Sequence, residues 1–217
     1  MITTRAQRPV AVVALALAAV LGPGTVSPAA AAPTGMPEPP SVAVARDELA
    51  KLTVEAPHSM DGYSRAKFPH WAQQGNKCDT REVVLRRDGE GVTQDDECRA
   101  VSGTWKSLYD DKTLTAASQV DIDHMVPLAN AWRSGADGWT TDRRKTFAND
   151  LEHSQLIAVS AASNRSKGDQ SPDQWSPPSS AYWCTYARAW TDVKHLYRLS
   201  VTQPEKDKLN SMLDTCA

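Results

Sequence analysis

The sequence predicts an α+β domain, and three local patterns carry that expectation. Residues 118–124 read as a strand that ends in Asp123-His124. The short apolar run Leu156-Ile157-Ala158-Val159 reads as a second, buried strand. A helix starting at Ser160 or Ala161 follows it at once and carries Asn164. Strand with Asp-His, strand, then helix with Asn is the outline of a ββα unit.

The remaining elements fall around that unit. Residues 33–41, with Pro37, Pro39 and Pro40, are expected to be a flexible leader. Residues 42–54 have the apolar spacing of an amphipathic helix, and 63–71 are aromatic-rich and irregular. Thr80-Arg81-Glu82-Val83-Val84-Leu85 fits helix or strand, because short apolar runs are ambiguous. Residues 103–109 alternate like a strand, closed by a turn at Asp110-Asp111. Pro127 opens a helix through Trp132 that Gly135 ends; 141–149 form another, and 172–178 an extended loop. Residues 182–199 and 203–215 both look helical with a break near Ser200, and Thr202 and Glu205 have capping-box spacing.

A chain of 217 residues can bury one sizeable core. Arg5 and Arg8 precede an uncharged run over 10–21, then Gly22-Pro23-Gly24 and Ala29-Ala30-Ala31-Ala32. That is the layout of a secretory signal peptide, cleaved near Ala30 to Ala32. The run is about a dozen residues, short of the ~20 that a membrane span needs. The expected organisation is a signal peptide over 1–32, a leader and helix over 33–61, and one domain over 62–217. The mature protein is expected to be secreted, free of the membrane and monomeric. In an oxidising compartment Cys78, Cys98, Cys184 and Cys216 should form two disulfides, for which three connectivities exist. An antiparallel helix pair folded near Ser200 brings together positions symmetric about it. Cys184 and Cys216 are such a pair, which leaves Cys78 with Cys98. No two cysteines have the CxxC spacing of a zinc site.

Charge sets a limit on partners. The chain has 24 basic and 26 acidic residues; loss of Arg5 and Arg8 leaves 22 basic, moving the formal net charge from -2 to -4. A protein that grips nucleic acid broadly is usually basic, so any phosphate-binding charge here must be local.

The chemistry concentrates in Asp121-Ile122-Asp123-His124-Met125-Val126-Pro127-Leu128 and Ser163-Asn164-Arg165-Ser166-Lys167-Gly168-Asp169. Asp123 is a hard oxygen ligand suited to Mg²⁺ or Mn²⁺. His124 titrates near neutrality and can accept a proton from water. Arg165 and Lys167 can neutralise phosphate charge, although Arg165 fits a solvated helix face nearly as well. Asp121 lies on the Asp123 face of the strand by period two, where it fits a further anion behind the ligands and an uninvolved residue equally well. Asp169 is expected to fix its loop by accepting hydrogen bonds from the backbone or from Arg165. His70, His153 and His195 are read as structural, with His70 beside Trp71 a candidate for the groove wall.

These motifs resemble the HNH endonuclease family, nearest to secreted actinobacterial-type HNH proteins and the C-terminal nuclease domain of GmrSD-type restriction enzymes. Ala131-Trp132-Arg133-Ser134-Gly135-Ala136, Phe147-Ala148-Asn149-Asp150-Leu151, Leu156-Ile157-Ala158-Val159-Ser160, Tyr63-Ser64-Arg65 and Phe68-Pro69-His70-Trp71 share the resemblance. It implies an α+β fold with a ββα-metal (His-Me finger) core, additional helices and two disulfides. It also implies endonucleolytic hydrolysis of DNA, with RNA a second candidate substrate, leaving 5′-phosphate and 3′-hydroxyl ends. On the same resemblance Asn164 completes the metal site with Asp123, and it stands where some members have a second histidine, which favours Mg²⁺ or Mn²⁺ over Zn²⁺. Gln155 stands where many members place an Asn that orients the histidine; a backbone carbonyl is the alternative orienting partner. Two rivals remain at this level: a Zn²⁺-dependent cell-wall hydrolase, and an extracellular binding or inhibitor domain on a nuclease scaffold.

Overall fold

The computed structural model describes residues 1–3 and 35–216. The expected signal peptide beyond its first three residues, and its cleavage site, lie outside the described residues. The chain divides into two units, Met1–Ala32 and Pro33–Ala217, and every helix and strand described belongs to the second. Among the described residues no helix is long and apolar enough to cross a membrane.

In chain order the elements are α1 (Val42–Lys51), β1 (Gln73–Gly75), β2 (Cys78–Asp79), α2 (Thr80–Asp88), β3 (Gly89–Gln94), β4 (Ala100–Lys106), β5 (Thr113–Leu114), β6 (Val120–His124), α3 (Leu128–Arg133), α4 (Thr141–Ala148), β7 (Leu156–Ser160), α5 (Ala161–Lys167), α6 (Trp183–Tyr197) and α7 (Gln203–Leu213). The strands make three small antiparallel groups, β1–β2, β3–β4–β5 and β6–β7. The fold is mixed α and β, held by two disulfides.

The β6–β7 ribbon separates two cores. Its register sets Asp121 opposite Val159, Asp123 opposite Ile157 and His124 opposite Leu156. Because successive side chains alternate faces, Val120, Ile122, Leu156 and Ala158 turn together into a small core with Val84, Leu85 and Trp105. Ile157 and Val159 turn the other way, into the large helical core that includes Leu49, Trp132, Trp190 and Leu209. Asp121 and Asp123 share that second face. β7 runs directly into α5, whose first turn is capped by Ser160 accepting from the Ser163 N–H at 3.1 Å.

The ambiguous segment at 80–85 is helical, and its ends explain why. Asp79 caps α2 by accepting from the Glu82 N–H at 2.9 Å. At its other end α2 covers the open edge of β7: Arg87 donates to the Leu156 carbonyl at 2.5 Å, and Asp88 accepts from the Ala158 N–H at 2.8 Å. An edge strand left bare would invite pairing with another chain. Trp105 donates to the Leu85 carbonyl at 2.8 Å and lies so close to Gly89 that a Cβ there would meet its Nε1 at 2.5 Å.

Three expectations change. Strand β3, with the polar sequence Gly89 to Gln94, was not foreseen, since it lacks an apolar alternation. The strand read at 103–109 begins earlier and stops at Lys106, where the Ser107 N–H turns to the Lys112 carbonyl at 2.8 Å. The leader is tied down from Gly35 onward. Arg188 donates to the carbonyls of Pro39 and Pro40 at 2.6 Å each, Ser154 to that of Pro37 at 2.9 Å, and the Gly35 N–H to that of Arg87 at 2.9 Å.

The disulfides are Cys78–Cys98 and Cys184–Cys216. The second joins the start of α6 to the residues just after α7, as the helix-hairpin symmetry predicts. The capping box at Thr202 and Glu205 is present. The Glu205 carboxylate also accepts from Trp190 Nε1 at 2.7 Å and faces buried Lys194 at 3.2 Å.

Asp110 ties the β4–β5 turn to the β7–α5 junction, accepting from Ser107 at 2.6 Å and from Ser160 at 2.7 Å, beside Lys112 at 3.1 Å. Its side chain is 8% exposed. Burial alone would raise its carboxyl, but hydrogen bonds from Ser107, Ser160, Lys112 and Ser163 outweigh that and hold it at about 2. The folded value lies below the unfolded one, so the stabilisation is complete above about pH 4 and disappears as pH falls toward 2. In urea unfolding, Asp110→Asn should cost about 2 kcal/mol near neutrality, and that deficit should shrink across pH 4 to 2. A deficit independent of pH would remove Asp110 as the cause.

Candidate active site

The end of β6, the first residues of α3 and helix α5 enclose a cavity of about 200 Å³ lined by Asp123, His124, Asn164, Arg65, Tyr63 and Asp169 among others. The carboxylate, the imidazole and the amide picked out from the sequence therefore share one space.

His124 ends β6, and the turn after it is fixed by Gln155. The Gln155 carbonyl accepts from the Met125 N–H at 2.7 Å, while its side chain bonds both the N–H and the carbonyl of Val126 at 3.1 Å. Gln155 thus holds the backbone behind the histidine and does not touch its ring. The ring is oriented by a backbone carbonyl, that of Ala148 at the end of α4, 3.0 Å from Nε2. A carbonyl only accepts, so Nε2 carries the proton and Nδ1 carries the lone pair. Trp71 stacks on the imidazole at 5.7 Å between centroids and 29° between planes. Against the near-neutral titration expected from the sequence, burial pushes His124 down to about 3, opposed by the Ala148 bond and helped by the charge of Arg65. At neutral pH the imidazole is uncharged, in the tautomer able to take a proton at Nδ1.

Asp123 is buried, and its Oδ2 accepts from Lys167 Nζ at 2.6 Å and from the Tyr109 hydroxyl at 2.7 Å. Oδ1 has no hydrogen-bond partner among the described residues and is the oxygen left for a ligand. Burial pushes the Asp123 carboxyl up and the Lys167 ammonium down, and each is held back by the other's charge. Burial and the Asp123 carboxylate push the Tyr109 hydroxyl well above its ordinary value, so it stays a donor.

Placement of Lys167 corrects the expectation that it meets phosphate. Its side chain is 0% exposed, and Nζ is spent on Asp123 and on the His124 carbonyl at 2.8 Å. Arg165 is 78% exposed, with Nε 3.9 Å from Asp121. Asn164 donates through Nδ2 to Asp121 at 3.1 Å, so Asp121 holds the amide with its oxygen turned away from that contact. Asp169 does fix its loop, but through Arg133 at 2.6 Å and not through Arg165.

Several site residues escaped the sequence reading. Tyr109 reaches Asp123 from a separate loop, and nothing local marks it. The Ala148 carbonyl is backbone and has no sequence signal. Asn149, next to it, accepts from the Ala72 N–H at 2.8 Å and donates to the Pro69 carbonyl at 2.7 Å, which seats the loop carrying His70 and Trp71. Arg65 was quoted within a motif but given no role.

With this geometry in place, similarity to known proteins becomes informative. The family model for the C-terminal domain of GmrSD restriction endonucleases matches residues 79–212, more than half of the chain. The chain belongs to that family, whose name carries a nuclease-type function. A protein of Arthroderma benhamiae named "Uncharacterized secreted protein" is 55% identical over 189 residues, 86% of this chain and 93% of that one. No solved structure matches.

Removing either half of the Asp123–Lys167 pair strands a buried charge. Lys167→Ala and Asp123→Ala are each expected to cost about 3–5 kcal/mol in urea unfolding, and the double variant with both changes should cost less than the two singles summed. Single costs below about 1 kcal/mol would show that the pair holds nothing.

Proposed function

We propose that the chain is a secreted, metal-dependent endonuclease that hydrolyses phosphodiester bonds of DNA, with RNA a second substrate. The observation that carries this reading is the shared cavity of Asp123, His124 and Asn164, with the imidazole neutral and its tautomer fixed. On this reading β6, β7 and α5 form a ββα-metal core of the HNH type. The two disulfides and the secreted relative support an extracellular location.

The residues fit a hard divalent cation. Asp123 Oδ1 and the Asn164 amide oxygen are oxygen donors, and one or two protein oxygens with several waters is the usual coordination of Mg²⁺, with Mn²⁺ a close substitute. Among the described residues no three His, Cys, Asp or Glu side chains gather as metal ligands, whereas Zn²⁺ sites typically use three or four such groups. When bound, the ion supplies positive charge against the phosphate oxygens and the departing 3′-oxygen.

The chain's own residues do the rest. His124 Nδ1 takes a proton from a water, and the resulting hydroxide attacks phosphorus. The bond from phosphorus to the 3′-oxygen breaks, that oxygen takes a proton from solvent and His124 returns its own to solvent, leaving 5′-phosphate and 3′-hydroxyl ends. The Ala148 carbonyl favours the imidazolium formed in this step, since the bond it accepts from Nε2–H strengthens when the ring gains charge. Attack on phosphate reads no base edge, so low sequence specificity follows.

Cleavage of supercoiled plasmid by oxidised protein, with Mg²⁺, Mn²⁺, Ca²⁺ or Zn²⁺ and with EDTA, tests the reading. His124→Ala should lose at least ~100-fold in rate with its fold intact. Asn164→Ala should shift the Mg²⁺ titration to higher concentration; it is a cleaner probe than Asp123→Ala, which also strands Lys167. Full activity in His124→Ala would remove the imidazole as the base, whereas a wild type that fails to cleave with any of these ions would point to a binding domain that retains the scaffold.

A further inference from the structure

With Lys167 sealed inside, the cavity needs another source of positive charge for an incoming phosphate. We propose that Arg65 is the phosphate-gripping side chain of this cavity, with His70 as its positioning residue; this rests on the nuclease reading above.

Arg65 lines the same cavity as Asp123, His124 and Asn164. It is exposed, and among the described residues it forms no ion pair with a carboxylate. Of the other cations nearby, Lys167 is committed to Asp123 and Arg133 to Asp169, while Arg165 is exposed, lies 3.9 Å from Asp121 and is not among the residues lining the cavity. Arg65 is also close enough for its charge to be felt by both Asp123 and His124.

Its orientation follows from a chain of hydrogen bonds. The Phe68 carbonyl lies 2.9 Å from His70 Nδ1 and can only accept, so the proton of His70 sits on Nδ1. Nε2 is then an acceptor, and Arg65 Nε donates to it at 3.4 Å. That contact uses the Nε–H and leaves both terminal Nη groups free, the half of a guanidinium that can grip two phosphate oxygens at once. His70 in turn packs edge-on to Trp71, the ring stacked on His124. One loop therefore supports the base and presents the cation. Residues 63–71 precede the stretch matched by the family model, which starts at 79, so this contribution lies outside the matched core.

The test combines binding and cleavage in the full oxidised protein. A fluorescein-labelled single-stranded oligodeoxynucleotide is titrated without Mg²⁺ at several salt concentrations, and plasmid cleavage is measured with Mg²⁺. Arg65→Ala should weaken binding about tenfold, reduce the salt slope by about one and slow cleavage about 100-fold, with added guanidinium restoring part of the rate. Arg65→Lys should recover only part, because an ammonium cannot fork. His70→Ala should raise KM more than it lowers kcat. Wild-type binding and cleavage in Arg65→Ala would overturn the assignment and leave the nuclease reading standing. Arg65-dependent binding without cleavage by the wild type would keep the assignment and sink the nuclease reading; a wild type that neither binds nor cleaves would sink both.

Discussion

The buried pair between Asp123 on β6 and Lys167 at the end of α5 sets the geometry of everything around it. At 2.6 Å, with both side chains almost fully enclosed, it fastens the last turn of a seven-residue helix to the end of a strand. Lys167 also bonds the His124 carbonyl, so one ammonium fixes the backbone of the base and the carboxylate beside it. Such a pair gains little net stability over apolar residues, because desolvating two charges offsets their attraction. Its effect is positional. It selects which Asp123 oxygen is internal and which faces the cavity, and the Lys167 charge opposes the upward push of burial on that carboxyl.

The two cores explain why the cavity lies at the end of the ribbon. Along most of β6 and β7 both faces are covered, one by α2 and Trp105, the other by the helical core. Only past Ile122 does the chain reach a place where Asp123 turns toward α5 while His124 turns toward Trp71 and the end of α4. The two functional side chains alternate faces, yet both border the cavity, because the turn held by Gln155 ends the strand there.

How much of this was legible in the sequence depended on whether the signal was local. Asp123, His124 and Asn164 could be singled out because their residue types and the strand–strand–helix order are read from short windows. The Cys184–Cys216 bond was legible because a helix hairpin turns spacing into proximity. The role of Lys167 was not, since its partner stands 44 residues away and an exposed lysine and a buried one look alike in sequence. The Ala148 carbonyl and the Asn149 clamp are tertiary contacts to backbone, for which residue identity gives no cue. The tethered leader failed for a related reason: proline-rich composition argues for an extended chain, but carbonyls that no proline ring can satisfy are free to accept from Arg188.

The acidic balance of the chain, at odds with nucleic-acid binding when taken as a sum, becomes intelligible once the cations are located. Most of those near the cavity are internal or paired, and they serve the protein's own carboxylates. On the proposed nuclease reading, positive charge directed at a substrate reduces to a divalent ion held by Asp123 and Asn164 and to the fork of Arg65. Two sources of charge confined to one phosphate can promote attack there without holding the rest of the strand. Because affinity for nucleic acid grows with each phosphate neutralised, such a site binds briefly and releases its products readily. On that reading, an enzyme that cuts without reading sequence would gain from such release, and the net negative charge of the chain works in the same direction.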